Sequence, residues 1–377
     1  MKSLRIGIDA KWFFEGPPSG RVVVSELVKH MLSIGQAHQF IIFLDRDFRG
    51  RTFPHTGHNV ELVYVWARNN LLANLFILPF YCIKLKIDAC VFQNFGTFTG
   101  FARRLVFIHD TIFISNPEHF TLLERLYFFP MKYLARISER IITVSQNEKR
   151  RMKLYSFVHA DKIDIVYNGV SDHFFKKSES VDSQFNIVKK KYGIPNDYLL
   201  YVGRLNARKN LLNLLKSVTQ MQSRLPLVLV GSVDWKMFNL SQVLFELGIS
   251  SRVFVLGFVD EVDLPVLFHN AKVFCYISYD EGFGLPPLEA MACGLPVVVS
   301  DIPIFNEVLG SAANYVDADD PKSVARKIDE LLSNQSLYND KSESGIMRAR
   351  MYSWSESAKS LLEIVERTVQ TSGSFYD

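Results

Sequence analysis

The sequence predicts an α/β protein in which two doubly wound parallel sheets follow each other along the chain. Short, β-rich apolar runs alternate with stretches of helical periodicity, the pattern of parallel sheets with helices on both faces. A polar stretch, 176–184, divides these runs into two sets and has the composition of a linker. The length of 377 residues suits two domains, each large enough for its own core.

Strands are predicted on both sides of the linker. Those before it are 4–10, 39–45, 59–65, 88–93, 104–110, 140–145 and 162–168. Those after it are 197–203, 225–231, 252–257, 272–278, 295–300 and 313–317. Helices are predicted between several of them, for example 21–34 and 121–137. We therefore expect two Rossmann-like domains, 1–175 and 176–352, with a ligand cleft between them at the carboxyl ends of the strands.

Composition narrows the class of protein. A hydrophobic content of 48% and a charged content of 22% are those of an ordinary globular protein rather than a disordered one. The N-terminus runs straight into a strand without a signal-peptide core. The longest uncharged apolar stretch, 69–83, is 15 residues and contains Pro79, whereas a spanning helix needs roughly 18–20. We expect a cytoplasmic protein with no transmembrane segment.

The four cysteines and the charge distribution bear on partners. The cysteines lie in apolar surroundings without ligand spacing, which predicts reduced core thiols and no metal. Residues 1–177 hold 24 Lys and Arg against 15 Asp and Glu, a net +9, and the remainder holds 19 against 24, a net −5. A basic first half predicts an anionic surface or acceptor. No nucleic-acid motif accompanies the charge, so nucleic acid is not an expected partner.

The segment 281–289, EGFGLPPLE, is the most informative of the chain. Its prolines suit the first turn of a helix, which places Glu281 in the preceding loop and Glu289 about two residues into the helix. Backbone N–H groups of Gly282, Phe283 and Gly284 lie between the two carboxylates as exposed donors. Such donors at a helix N-terminus, flanked by two acceptors, suit a ligand that carries phosphate and several hydroxyls, such as a nucleotide sugar.

This segment resembles the E-x7-E element of the retaining GT-B glycosyltransferases, above all those of family 4. Further segments resemble family landmarks in the same order along the chain: 106–118, 142–152, 166–170, 201–210 and 254–264. The resemblance covers nearly the whole chain, most strongly 198–320. It implies the GT-B fold, with a C-terminal helix, about 353–377, that packs back on the first domain. That segment begins with a capping Ser and has apolar residues at helical spacing.

The resemblance also implies roles for single residues. Glu289 resembles the glutamate that accepts from the ribose hydroxyls, and Glu281 the one that contacts the donor sugar, with Leu285 following the same loop. Phe258 and Val259 resemble the backbone positions that read the base. His109 resembles a histidine that faces the donor sugar at the reaction centre. An interpretation as helix-dipole carboxylates and a core histidine needs no ligand at all.

Arg204 and Lys209 follow a predicted strand and Gly203, so they can reach the carboxyl edge of the sheet. Two cations there match the roughly two negative charges of a diphosphate and would stabilise a leaving group. Both side chains are expected to be exposed, so that replacing either leaves the fold intact. A basic surface turn is the alternative.

Two further positions are less specific. The turn 15–21 lacks most of the glycines of its family counterpart, which leaves Gly20 as the expected close approach to the donor. Asp110 suits loop capping and acceptor binding equally. The absence of G-x-G-x-x-G after any predicted strand argues against a dinucleotide dehydrogenase.

A basic and aromatic helix is predicted at 121–140. Arg125, Lys132, Arg136 and Arg140 are spaced to share one helical face, with aromatic residues around them and Pro130 as a kink. Such a face suits a lipid headgroup layer, and a solvated basic face suits the sequence equally well.

These features predict a retaining, metal-independent hexosyltransferase with no cofactor, located in the cytoplasm, either free or peripheral on the inner membrane face. The donor expected first is GDP-mannose, because the opening and the 109–113 segment resemble bacterial O-antigen or capsule mannosyltransferases. UDP-glucose or UDP-N-acetylglucosamine is the alternative donor, and the acceptor is a cell-envelope glycan or polyprenol-linked glycan. A sugar-nucleotide epimerase and a non-catalytic nucleotide-binding subunit are alternative functions. No Asp-x-Asp metal motif is expected near the diphosphate.

Overall fold

A computed structural model describes residues 3–55, 57–66, 68–98, 102–176, 181–233 and 239–372. The chain divides into two compact units. The first comprises Met1–Gly169 with the C-terminal segment from Ser353, and the second comprises Val170–Tyr352. The division falls after Gly169, a few residues before the boundary expected at 175.

The first unit is built on a parallel sheet of seven strands in the order β3-β2-β1-β4-β5-β6-β7. Its strands are β1 Arg5–Asp9, β2 Gln39–Asp45, β3 Val60–Val65, β4 Ala89–Gln93, β5 Arg103–Ile108, β6 Arg140–Thr143 and β7 Ile163–Ile165. Strand β1 lies between β2 and β4, with Ile8 opposite Ile42 and Val91. The strand order reverses direction at β1 and β4, which is where doubly wound sheets bind ligands.

Helices connect these strands, as parallel pairing requires. They are α1 Pro18–Ile34, α2 Asn70–Leu72, α3 Leu78–Lys84, α4 Ile112–Ser115, α5 Leu122–Ile137 and α6 Gln146–Leu154. A π-helical turn, Ala73–Ile77, joins α2 to α3. Helix α5 begins with a capping box between Thr121 and Glu124 and contains Pro130.

The second unit repeats this architecture with six parallel strands in the order β10-β9-β8-β11-β12-β13. The strands are β8 Leu199–Val202, β9 Leu227–Val230, β10 Val253–Gly257, β11 Val273–Tyr276, β12 Val297–Ser300 and β13 Asn314–Val316. Its order reverses at β8 and β11. The predicted α/β class with two doubly wound parallel sheets is confirmed.

The helices of the second unit pack on its own sheet. They are α7 Val181–Tyr192, α8 Leu211–Gln220, α9 Leu240–Glu246, α10 Leu264–Asn270, α11 Leu285–Ala292, α12 Pro303–Leu309, α13 Pro321–Ser333 and α14 Gln335–Ala349. Of the predicted linker, residues 177–180 lie outside the described part, and 181–184 already belong to α7. The linker prediction is therefore too long, because the polar residues of this amphipathic helix extend it into α7.

The last helix, α15 Trp354–Ser372, packs on α1 of the first unit. Two polar side-chain pairs also connect it to the first unit. Nε2 of His38 lies 2.8 Å from a carboxylate oxygen of Glu366, and Arg367 pairs with Asp164 at 2.8 Å. Within the described residues, none of the helices combines the length and the apolar character needed to cross a membrane.

The predicted basic face of 121–140 is wrong in its extent, because only Arg125, Lys132 and Arg136 lie on the helix. Helix α5 ends at Ile137, so Arg140 lies in β6, where it pairs with Asp164 at 2.6 Å. Lys132 donates to the carbonyl of Tyr155 at 2.9 Å. Arg136 donates to the carbonyls of Ser156 and Phe157. These cations hold the turn after α6 in place. The error arose because helical spacing was extended past the true end of the helix.

Candidate active site

The second unit presents a glycine-lined edge where β8, β9 and β10 end. Gly203, Gly231 and Gly257 follow or finish these strands, and each has a positive φ. A Cβ on Gly231 would lie 2.0 Å from the carbonyl oxygen of Gly203, so only glycine fits there. Three adjacent strand ends without side chains allow a ligand to approach the backbone closely.

The turn after Gly203 carries the predicted cations. Arg204 is exposed, as predicted. Lys209 is not: it ends a 3-10 turn, Ala207–Lys209, whose cap is Asn206, and its side chain is buried. The prediction that Lys209 is exposed is therefore wrong, because the turn directs its side chain inward beneath α8 rather than outward.

The ammonium group of Lys209 forms a buried ion pair with Glu281. It also donates to the hydroxyl of Tyr276 at 2.5 Å and lies 4.8 Å from the centre of that ring. Arg208 holds the other carboxylate oxygen at 3.3 Å and donates to the carbonyl of Asp280 at 2.5 Å. The loop before α11 is thus tied to the turn after β8 by two cations and one carboxylate.

This environment lowers the pKa of Glu281. Burial alone would raise the pKa, but the charges of Lys209 and Arg208 and the hydrogen bonds to the carboxylate outweigh burial and bring the pKa to about 2. Glu281 is therefore ionised at neutral pH. Its proposed contact with the donor sugar stays a prediction.

Helix α11 begins where the sequence predicts. Gly284 caps it with φ +95, and a Cβ there would lie 2.8 Å from the ring of Phe305, so glycine is required twice over. Gly282 is half-buried, whereas Phe283, Gly284 and Leu285 are buried. The expectation that Gly282, Phe283 and Gly284 are all exposed is therefore wrong, because two of the three residues are buried.

Glu289 differs from Glu281 in its surroundings. It is the fifth residue of α11 rather than the second, and so lies in the second turn. Burial raises the pKa of Glu289 from 4.5 to about 7. The two carboxylates of the EGFGLPPLE segment are thus chemically distinct near neutral pH, one permanently ionised and the other divided between its two forms.

The predicted base-reading residues follow β10. Phe258 is highly exposed, whereas Val259 is buried. The backbone N–H of Gly231 donates to the carbonyl of Gly257 at 2.8 Å, which holds the end of β10 beside that of β9. An exposed aromatic ring at a ligand-binding edge can stack on a planar ligand.

An Asp-x-Asp sequence does lie close to this turn, contrary to the expectation. It is Asp317-Ala318-Asp319, directly after β13, and the carbonyl of Ala318 accepts from Asn210 at 2.7 Å. Asp317 accepts from the backbone of Asp319, and Asp319 accepts from Tyr279 at 2.9 Å. In the described part of the chain no three His, Cys, Asp or Glu side chains gather as metal ligands.

The first unit places its candidate residues at the carboxyl ends of β1, β4 and β5. Nε2 of His109 lies 3.0 Å from the side-chain oxygen of Gln93, within hydrogen-bonding distance. Burial lowers the pKa of His109 to about 4, an effect that the charge of Asp110 opposes. His109 is therefore a neutral imidazole at neutral pH.

A buried charge cluster supports Gln93. Lys11 pairs with Asp9 at 2.5 Å and donates to Asn74 at 2.7 Å. The second oxygen of Asp9 accepts from the backbone of Gln93 at 3.1 Å. Burial lowers the pKa of Lys11, against the stabilising charge of Asp9. The cluster fixes the end of β4 and hence the residue that orients His109.

Gly20 and Asp110 each have a structural role in the first unit. Gly20 lies in the first turn of α1, buried, where a Cβ would lie 3.0 Å from the ring of Trp12. Helix α1 begins at Pro18 and therefore includes Gly20. Packing against the ring of Trp12 accounts for a glycine at this position. Asp110 accepts from the backbone of Ile112 at 3.3 Å, which is the loop-capping alternative.

Sequence reasoning missed Arg208, Tyr276, Gly231, Gln93 and the Asp9–Lys11 pair. Each has a sequence signal that is visible in retrospect, namely a charged or polar residue, or a glycine, at the end of a buried strand or in the turn that follows. At such a position a parallel sheet directs side chains into its ligand-binding edge.

Comparison with known proteins gives a consistent result for both units. A family described as "Glycosyl transferases group 1" matches residues 184–348, and one described as "Glycosyltransferase Family 4" matches 20–174. The O-antigen chain mannosyltransferase RfbU of Salmonella typhimurium is 32% identical over 68% of this chain and 70% of its own length. O-antigen chain mannosyltransferase B of Escherichia coli is 30% identical over 67% of each chain.

The fold is also that of a solved structure. Anabaena HepE in complex with UDP and glucose superposes with a TM-score of 0.74 at 19% identity, over 97% of this chain and all of the other. At that identity the likeness concerns the fold alone.

Proposed function

Since this chain belongs to the family 4 glycosyltransferases, we propose that it moves mannose from GDP-mannose to a cell-envelope glycan or polyprenol-linked acceptor, with retention of anomeric configuration. The mannosyl donor is supported by the names of the two O-antigen mannosyltransferases that the chain resembles. The enzyme would work in the cytoplasm, at the inner face of the membrane that carries the acceptor. UDP-glucose or UDP-N-acetylglucosamine remains the alternative donor.

The observation that carries this proposal is the charge at the glycine-lined edge of the second sheet. Arg204, Arg208 and Lys209 supply three cations, and Glu281 supplies one carboxylate. Over these four residues the net charge is +2, which matches the roughly two negative charges of a diphosphate. Gly203 and Gly231 carry no side chain at this edge, so a diphosphate could approach the backbone there closely.

The proposed chemistry is a substitution on one face of the sugar. The acceptor hydroxyl forms a bond to the anomeric carbon on the face from which the diphosphate departs, and the bond from that carbon to the phosphate oxygen breaks. The hydroxyl proton passes to a phosphate oxygen. Arg204 and the helix N-terminus of α11 stabilise the charge that develops on the leaving diphosphate.

Donor binding is tested with a thermal-shift panel of GDP, UDP, GDP-mannose, UDP-glucose and UDP-N-acetylglucosamine, because a ligand stabilises the state that it binds. The largest shift should come from GDP-mannose. Release of GDP that depends on an added glycan acceptor distinguishes a transferase from an epimerase. Binding without any turnover would instead identify a nucleotide-binding subunit.

We expect retention without added metal. An α-linked donor should give an α-linked product, in EDTA as well as without it, because cations of the chain neutralise the diphosphate. Product anomeric couplings measured by NMR report the stereochemistry. A β-linked product contradicts retention. Activity that disappears in EDTA and returns with Mg²⁺ or Mn²⁺ would assign a metal role to carboxylates such as Asp317 and Asp319.

Nucleotide affinity should increase with pH because of Glu289. The ribose hydroxyls donate to its ionised form, and with a pKa of about 7 this carboxyl is mostly protonated below neutrality in the free protein. Below that pKa each lower pH unit should weaken GDP binding by up to about tenfold. Titration calorimetry from about pH 6 to about pH 8 measures the slope.

Glu289→Gln is the matched variant. It should bind GDP more weakly at high pH and show no such slope. An equally steep pH dependence in Glu289→Gln would assign the titration to another group.

A further inference from the structure

One side of helix α5 is apolar and exposed to solvent. Leu122, Leu126, Phe129, Tyr133 and Ile137 recur at intervals of three and four residues, and all are exposed. The opposite face of the helix carries Met131, Leu134 and Ala135, which are buried in the core of the first unit. Helix α5 is therefore apolar on both sides, and its core-facing side alone does not account for its composition.

The neighbouring helical segment has the same property. Leu72, Phe76, Phe80 and Ile83 recur at helical intervals along α2, the π turn and α3, and all are exposed. Their buried counterparts on this segment include Ala73, Leu78 and Cys82. A soluble surface seldom exposes so many large apolar side chains together unless they meet a partner.

Both segments pack on the same buried core of the first unit. Leu71 and Leu75 of the first segment, and Tyr127 and Phe128 of α5, pack on the same buried cluster. The hydroxyl of Tyr127 is hydrogen-bonded to the backbone of Leu71. We call the nine exposed residues of the two stripes, together, the outer face.

The charge around the outer face is mostly positive, which favours an anionic partner. Residues 68–86 and 121–137 contain six basic residues, namely Arg68, Lys84, Lys86, Arg125, Lys132 and Arg136. Their one acidic residue, Glu124, is engaged in the capping box of α5. A second copy of the chain would bring this excess of positive charge against itself, which opposes self-association.

We propose that the outer face is a membrane-docking surface for anionic lipid. Its phenylalanine, tyrosine and leucine side chains would enter the headgroup and upper acyl region, and Lys84 and Arg125 would meet lipid phosphates. The inference rests on the proposed function for its purpose, since a polyprenol-linked acceptor lies in such a membrane. It differs from the basic stripe expected from the sequence, because apolar side chains supply the contact.

The test is co-sedimentation with vesicles. The full chain should bind vesicles of phosphatidylglycerol and phosphatidylcholine, and bind phosphatidylcholine vesicles much less. The triple variant Phe76→Gln, Phe80→Gln, Phe129→Gln should lose binding by at least about tenfold, because each side chain is over 60% exposed in water and inserts only on binding. Lys84→Gln with Arg125→Gln should remove the preference for anionic lipid.

The matched control lies in the second unit. Phe245→Gln, Val262→Gln, Met347→Gln replaces three side chains of similar or greater exposure, between 64% and 81%, and should bind vesicles like the parent. Unchanged binding by the Phe76, Phe80 and Phe129 variant would overturn the proposal. So would a parent that ignores vesicles but forms a dimer which this variant dissociates.

A nucleotide thermal shift measured on the same samples separates the two hypotheses. Vesicle binding without any nucleotide shift would refute the proposed transferase and leave the docking surface standing. A GDP-mannose shift without vesicle binding would refute the docking surface and leave the proposed transferase standing.

Discussion

Lys209→Ala is expected to destabilise the second unit by about 3 kcal/mol, because it leaves the buried carboxylate of Glu281 without its nearest cation. Arg208 stays 3.3 Å from the other oxygen, which limits the loss to the lower end of what breaking a buried pair costs. The measurement is urea denaturation followed by circular dichroism. Turnover should fall as well, and the loss of stability must be measured first to interpret it.

Two further variants give this prediction its controls. Lys209→Met combined with Glu281→Gln removes both charges and should be more stable than Lys209→Ala, because no unpaired buried charge remains. Arg204→Ala changes an exposed side chain in the same turn and should shift stability by less than about 0.5 kcal/mol. If Lys209→Ala unfolds at the same urea concentration as the parent, the pair does not stabilise the unit.

The fold follows from local sequence patterns to a large extent. Every predicted strand is present, because buried parallel strands such as β9 and β12 are nearly continuous apolar runs bounded by Gly or Pro. The predicted boundaries between loop and helix are wrong where polar residues belong to a helix, as at the start of α7. The end of α5 was also misplaced, since Ser138 and Glu139 interrupt the helix without a glycine or proline to signal it.

The candidate site was predictable in position but not in its contacts. The ends of β8 and β5 and the start of α11 can be read from the sequence, which brings Arg204, His109 and Glu281 to sheet edges. Whether Lys209 points inward or outward depends on the 3-10 turn capped by Asn206, and no periodicity in the sequence predicts that turn. The opposite pKa shifts of Glu281 and Glu289 depend on burial and neighbours that only three-dimensional contacts supply.

Arg204→Ala is expected to lower turnover by about 10²-fold or more while leaving the fold intact. Its side chain is exposed beside Gly203, at the glycine-lined edge to which we assign the diphosphate. A cation that stabilises the departing diphosphate acts more strongly in the transition state than on the bound donor. The loss should therefore appear in kcat and equally in kcat/KM, with KM nearly unchanged.

The control for this variant is Arg224→Ala, which removes another exposed arginine of the same unit. Arg224 precedes β9 and so lies at the amino end of the sheet, away from the proposed site. It should leave kcat and KM within about twofold of the parent, since surface changes away from a site have small effects. Arg204→Lys should keep part of the activity, because it preserves the charge but loses the planar fork that binds phosphate oxygens in pairs. An Arg204→Ala enzyme that raises KM alone would place this residue in donor binding, and one as active as Arg224→Ala would remove it from the site.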